Sequence, residues 1–494
     1  MTKAVSAGRG VLYIAAAKLY FMIAGYAIYF TLPRLFGNPV DWGNYLLVVG
    51  LVSVIDNVIV TGTIQAVSRF TAQGDESPDA VKKTALRAQL IMGGGVAAVY
   101  FLLAPLIAAL QKDESLVGLY RISAGIVFCY AFYAVFVGSV NGERHFGKQA
   151  LLDTSFATIR ATLILGAAAL GWGVAGTVGA FVSAAATILV ISLLWVGLPA
   201  RGTEGSSMGE LWRFALPLFG YTFFVNAVMR VDLIMLKRFA ADLPALGQSV
   251  AAQASVVAGY YGTAQSLAFI PYQAILSVAF VIFPLVSRST FVGDLETTRS
   301  YVKQTLRLSF LFVMGVASVL IANPSSVIAV VYPERYVFAG EALRILAGGM
   351  VSFSLFTIIN TILNGAGLTR DTLISGIITA MLALVANIVA VPHATSAGGM
   401  LLAAAWATSL AMTVGLGISA VFLYRRFGAG LGLVSLVRGL LAAALAVAVG
   451  EIIPTHSKLV TLGECVVVFG VYVGVLLLTR ELRLAELKQL RSRK

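Results

Sequence analysis

Charge is what this 494-residue sequence has least of. Only 12% of its residues are charged, against 59% hydrophobic, where an ordinary soluble domain carries about a quarter charged. That excludes the soluble globular class and leaves the bilayer as solvent. Cysteine and histidine are scarce as well. Cys129 and Cys465 fall far apart inside apolar runs, so neither a disulfide framework nor a metal cluster is indicated, and both read as packing residues. None of His145, His393 and His456 has a second His or Cys at ligand spacing, and Glu143 beside His145 is a lone loop carboxylate. No metal and no cofactor are expected. The triplet Gly93-Gly94-Gly95 lacks the strand-to-helix setting of a nucleotide loop and reads as a close helix contact. Large loops are missing too: the longest external one, roughly residues 240–255, is short and poor in functional groups. A polymerase or ligase is therefore not expected, and the chain reads as a non-enzyme.

What is present is apolar length. About fourteen runs of about 20 residues occur, each long enough to cross a hydrocarbon core about 30 Å thick. The expected fold is an all-α integral membrane protein with about 14 transmembrane helices, the seventh near Phe214 to Leu236 and the eighth near Val257 to Val286. Lys3 and Arg9 precede the first run like a secretory signal, but that run is too long for one and contains Lys18. The formal charge of +13 does not point to nucleic acid, because most basic residues sit in short loops between apolar runs. Alternate loops are rich in Lys and Arg, with Arg69, Lys82, Lys83, Arg87, Arg144, Lys148, Arg201, Arg288, Arg299, Lys303, Arg370, Arg425 and Arg426 on one side. The positive-inside rule then places both termini in the cytoplasm. A basic tail at 481–494 reads as a surface binder of the anionic inner leaflet or as a disordered topogenic segment.

The sequence repeats itself. Val67-Ser68-Arg69 with Gly74-Asp75 and Leu86-Arg87 recurs as Val286-Ser287-Arg288 with Gly293-Asp294 and Leu306-Arg307. Asn141-Gly142 recurs as Asn364-Gly365, Asp153-Thr154 as Asp371-Thr372, and Gly43-Asn44-Tyr45 as Gly259-Tyr260-Tyr261. Each pair is six helices apart, so both copies share one orientation and are related by an axis along the membrane normal. The expected organisation is an N-lobe at 1–200, a linker at 201–212, a C-lobe at 213–426, a last helix pair at 427–480 and the tail.

Positive charges inside apolar runs each cost about 2.5–3.5 kcal/mol on insertion scales and invite an explanation. Lys18, Arg160 and Arg230 fall mid-helix, where a cationic cavity competes with snorkelling or a structural ion pair; for Arg34 and Arg344, near external ends, snorkelling is favoured. Lys18 and Arg34 would lie about 24 Å apart on nearly opposite faces of one helix. Asp56, and Asp232 with Asn226 nearby, are candidates for an ion pair or a coupling site, against helix-packing hydrogen bonds. Pro271 should free the carbonyl of Leu267 and bend the eighth helix, as a gate or simply as shape.

Leu32-Pro-Arg-Leu-Phe-Gly37, Trp42-Gly-Asn-Tyr45, Val231-Asp232, Gly259-Tyr-Tyr-Gly-Thr-Ala264, Tyr332-Pro-Glu-Arg-Tyr336 and Leu343-Arg-Ile-Leu346 occur in an order that resembles the polysaccharide flippases of the multidrug/oligosaccharidyl-lipid/polysaccharide (MOP) exporter superfamily, over about the first 425 residues. The resemblance implies two six-helix lobes in a V, alternating access, and export of polyprenyl-pyrophosphate-linked saccharides across a bacterial inner membrane. It also implies glycosyltransferase or polymerase partners, and a last helix pair like that of lipid II flippases. A lipid II flippase and a cation-coupled drug antiporter are the alternatives.

Overall fold

The computed structural model describes residues 2–244, 249–454 and 457–482; the side chains of 2–12, 277, 279–281 and 283–285 lie outside the description. His456 and the tail beyond Leu482 also lie outside it. The described residues are helical almost throughout, without strands, and thirteen helices are long and apolar enough to cross a membrane.

The chain divides into two compact units, Met1–Gly259 and Tyr260–Lys494. The first holds α1 (Thr2–Phe36), α2 (Pro39–Gln73), α3 (Pro78–Leu110), α4 (Leu116–Gly142), α5 (Phe146–Ala169), α6 (Gly173–Val196), α7 (Met208–Val228), α8 (Val231–Ala240) and the start of α9 (Val250–Ala268). The second holds the rest of α9, then α10 (Ile270–Phe291), α11 (Leu295–Ala322), the short α12 (Pro324–Val331), α13 (Gly340–Gly365), α14 (Thr369–Ala390), α15 (Ala397–Phe427), α16 (Leu433–Ile452) and α17 (Lys458–Leu478).

Local chemistry sets the helix ends. Asn38 caps α2 by accepting the Asp41 N–H at 2.8 Å, Pro39 opens the first turn, and Gly74 ends the helix with φ of 77°, a value only glycine adopts freely. The second repeat copies this ending: Gly293 has φ of 80° and Asp294 caps α11 through the Thr297 N–H at 2.9 Å. Helices extend past the apolar runs; at 35 residues, α2 is about 52 Å long. The linker is tied to the start of α3, with Lys83 donating to the Thr203 carbonyl and Thr84 to that of Ser206.

Packing repeats as the sequence does. In the first unit α4 packs on α2, α3 and α6, and α5 packs on α6; in the second, α13 packs on α10, α11 and α15, and α14 packs on α15. The last pair joins the second unit at α11, where the Tyr472 hydroxyl donates to the Leu311 carbonyl at 2.8 Å and Gly315 and Gly439 admit Tyr472 and Phe310.

Two expected helices are interrupted. The seventh is α7 and α8, broken at Met229–Arg230, where Arg230 takes φ of −134°. Asp232 in the first turn of α8 and Lys237 and Arg238 in its last suit a separate helix, each charge lying at the end its dipole favours. Asn226 and Arg230 are therefore not one turn apart on a continuous helix. The eighth is α9 and α10, interrupted at Phe269 just before Pro271, the position where proline removes a helical donor.

Candidate functional site

In the first unit α1 packs on α5, and both α5 and α4 pack on α6. Asp153 and Arg160 are seven residues apart on α5, hence on one face. Lys18 of α1 meets the first of these: its ammonium lies 2.9 Å from the Asp153 carboxylate, with the Lys18 side chain 43% exposed. Lys18 is thus an ion-paired cation.

Arg160 is held differently. Its guanidinium lies 4.5 Å from the ring centre of Phe21, 5.6 Å from Phe156 and 5.8 Å from Phe181, the geometry of cation–π attraction. Gly25 faces it: a Cβ there would stand 3.5 Å from an Arg160 Nη, at ordinary contact distance. The Tyr130 hydroxyl lies beside the guanidinium, within hydrogen-bonding reach of it, and within electrostatic reach of Asp56. The Arg160 Nε is buried with no hydrogen-bond partner, and among the described residues no carboxylate comes within ion-pair distance of it. A guanidinium carries five donors in a planar fork suited to phosphate. Aromatic faces hold the charge in place and leave donors for an anion.

Lys18, Asp153 and Arg160 together carry one net positive charge, and the Phe21 ring touches both cations. Arg230 lies at the α7–α8 break, its side chain passing Gly50, with its Cδ 3.6 Å from where a Cβ there would stand. Two turns along α2, Asn57 donates to Asn226 at 2.9 Å, so α7 is fastened to α2 by an amide pair. Asp56, next to it, is buried and its Oδ1 has no partner. Asp232 is completely buried at the start of α8 and accepts the Leu233 N–H at 2.8 Å. Arg34 turns back to the Phe30 carbonyl at 2.7 Å. Arg344, in the second unit, approaches Glu341 at 3.8 Å and Glu451 of α16 at 3.4 Å.

Two residues of consequence escaped the sequence reading. Asp153 served only as a repeat anchor, although its seven-residue spacing from Arg160 was a usable signal. Lys237 follows directly on the expected end of the seventh helix at Leu236, where an exposed loop cation is expected, yet it is completely buried.

Thirteen apolar helices of spanning length among the described residues define a multi-pass membrane protein. The sequence family settles the class further: residues 7–290 match the model of the polysaccharide biosynthesis protein family, and the chain belongs to that family. No curated protein matches the chain. Among solved structures, one described as the lipid II flippase MurJ in an inward closed conformation is similar at a TM-score of 0.76 and 13% identity, covering 95% of this chain and 99% of that one. A MOP superfamily transporter from Pyrococcus furiosus, described by the reverse polarity of its binding pocket, has a TM-score of 0.62 and 14% identity, covering 85% of this chain and 96% of its own. An outward-facing multidrug resistance MATE transporter has 0.61 and 15%, with the same coverage. At these identities the likeness is one of fold: the chain has a MATE- and MurJ-like fold.

Proposed function

We propose that this protein is a flippase that moves polyprenyl-pyrophosphate-linked oligosaccharides from the cytoplasmic to the outer leaflet of a bacterial inner membrane, by alternating access, for surface polysaccharide assembly. Both termini are then cytoplasmic, and glycosyltransferases and a polymerase are the natural partners. The observation that carries the reading is Arg160: a guanidinium caged by aromatic rings, without a carboxylate, on a helix of the first lobe. A pyrophosphate cannot cross hydrocarbon unaided, and Arg160 offers it a buried, unpartnered Nε donor. Lys18 contributes once the anion draws it from Asp153. Membership of the polysaccharide biosynthesis family supports the saccharide part of the cargo.

The test is reconstitution into proteoliposomes, with leaflet-selective quenching of a fluorescent lipid. A polyprenyl-pyrophosphate oligosaccharide should be flipped, and a neutral lipid bearing the same glycan should not. Equal flipping of both would end the proposal. Preference for lipid II would move the assignment to peptidoglycan precursors.

A further inference from the structure

Lys237 is the most deeply buried ammonium among the described residues, with no exposed surface. An ammonium has three donors and no acceptor, and all three are used. One reaches Asp113 at 2.7 Å, one the Ala251 carbonyl at 2.8 Å, and one the Ser255 hydroxyl at 2.6 Å. Ser255 passes the connection on to Asn44 at 2.6 Å, while Asp113 also accepts from Ser115 at 2.5 Å. One cation therefore ties together the α3–α4 turn, α8, the start of α9 and α2. Beside it, the exposed Lys112 and the half-buried Arg238 both pair with Asp242; the Lys112 hydrogen bond, ahead of the Arg238 charge, holds that carboxyl below the usual range.

Three features make this cluster more than a packing device. The first is chain placement: Asn44 and Asp113 belong to the first sequence repeat, Lys237 and Ser255 to the second. The second is continuity, because the division between the two compact units falls inside α9, directly after Gly259. The helix that carries Ser255 thus runs on into the other unit. The third is the neighbouring contact of α2 with α9, which is made through glycine. A Cβ on Gly43 would lie 1.9 Å from the Ser255 carbonyl oxygen, and one on Gly259 2.7 Å from that of Pro39. The glycines let the two backbones approach closely, and the polar cluster adds directional, charge-assisted bonds beside that contact. Such adhesion is conditional. A dry, fully satisfied pair is strongly coupled, whereas the same pair in water contributes little.

We propose that the Lys237–Asp113 pair, with Ser255 and Asn44, is a latch that holds α8 and the first turns of α9 on α2 and the α3–α4 turn in the closed state, and that it must part and hydrate for the opposite state to form. The loop count places this latch at the outer membrane face. It rests on the transport reading only in requiring two states, and not on the cargo.

Two measurements test it in full-length protein in sealed vesicles, with Cys129→Ala and Cys465→Ala as background. In the first, Ser255→Cys reports opening through its rate of modification by a membrane-impermeant maleimide. Adding Asp113→Asn should raise that rate at least tenfold; an unchanged rate overturns the latch. In the second, which does not depend on the stability of Asp113→Asn, an oxidised Asn44→Cys/Ser255→Cys disulfide should lower flipping at least tenfold and reduction should restore it. Undiminished flipping with the disulfide closed also overturns it. A protein that flips no saccharide lipid yet shows the tenfold labelling change would sink the cargo assignment and keep the latch.

Discussion

Gly43 and Gly259 touch reciprocally. Each glycine's missing Cβ would collide with the carbonyl oxygen four residues before the other, Ser255 in one direction and Pro39 in the other. A contact in which residue i meets the partner of j while j meets the partner of i is the mark of a two-fold relation. The two glycines are also equivalent positions of the sequence repeat, so a local two-fold passes between α2 and the first part of α9.

Space at this contact predicts an order of effects. Gly43→Ala, at 1.9 Å from backbone, should destabilise more than Gly259→Ala at 2.7 Å, with overpacking costs of about 1–3 kcal/mol or above. Thermal unfolding in detergent measures both; equal and negligible shifts would show that the helices separate freely.

The buried ion pair predicts non-additivity. Lys237→Met alone leaves Asp113 buried and unpaired, at a cost of about 3–5 kcal/mol, whereas Lys237→Met with Asp113→Leu should cost clearly less. A double-mutant cycle on thermal stability reads the coupling. A double variant as unstable as the sum of the singles would contradict the pairing.

Much of this architecture was legible in the sequence because it depends on local residues. Gly74 and Gly293 stand at matching places and take the same left-handed φ, 77° and 80°, which the repeated Gly-Asp dipeptide foretells. Hydropathy likewise locates helices, since each run alone decides its fate in the bilayer. Pairings across the chain were not legible. Nothing near Lys18 announces Asp153, 135 residues away, so an insertion scale registers the cost of the cation but not its relief. The break at Arg230 was hidden in the same way by the apolar residues around it. Asp232 and Lys237, read as the ends of a short helix, would have exposed it.

Where the last helix pair meets α11, Glu481 gives a pH prediction. Burial raises its carboxyl, but hydrogen bonds from Ser435, Arg438 and Arg307 more than offset this and leave it below the ordinary range. A depressed carboxylate stabilises fully above its unfolded value of about 4.3 and loses that contribution as pH falls through the folded one. The melting difference between wild type and Glu481→Gln should thus be largest near pH 7 and shrink as pH drops below about 4.3. A constant difference would show that Glu481 is not held ionised by these partners.

Membrane potential supplies a further check on the charge of the cargo. Each elementary charge moved across 100 mV changes the free energy by about 2.3 kcal/mol. An inside-negative potential across vesicles should therefore speed outward movement of a pyrophosphate-linked lipid and slow the return. Potential-independent flipping in both directions would mean that compensating charge moves with the lipid.

The central claim is that Arg160 receives the anionic headgroup. Its most direct test compares wild type, Arg160→Lys and Arg160→Ala for binding and flipping of a fluorescent polyprenyl-pyrophosphate oligosaccharide in proteoliposomes, with folding checked by thermal unfolding. Arg160→Ala should lose at least tenfold in flipping while remaining folded, and Arg160→Lys should retain an intermediate rate because it keeps the charge but not the fork. Wild-type flipping by a folded Arg160→Ala protein would contradict it.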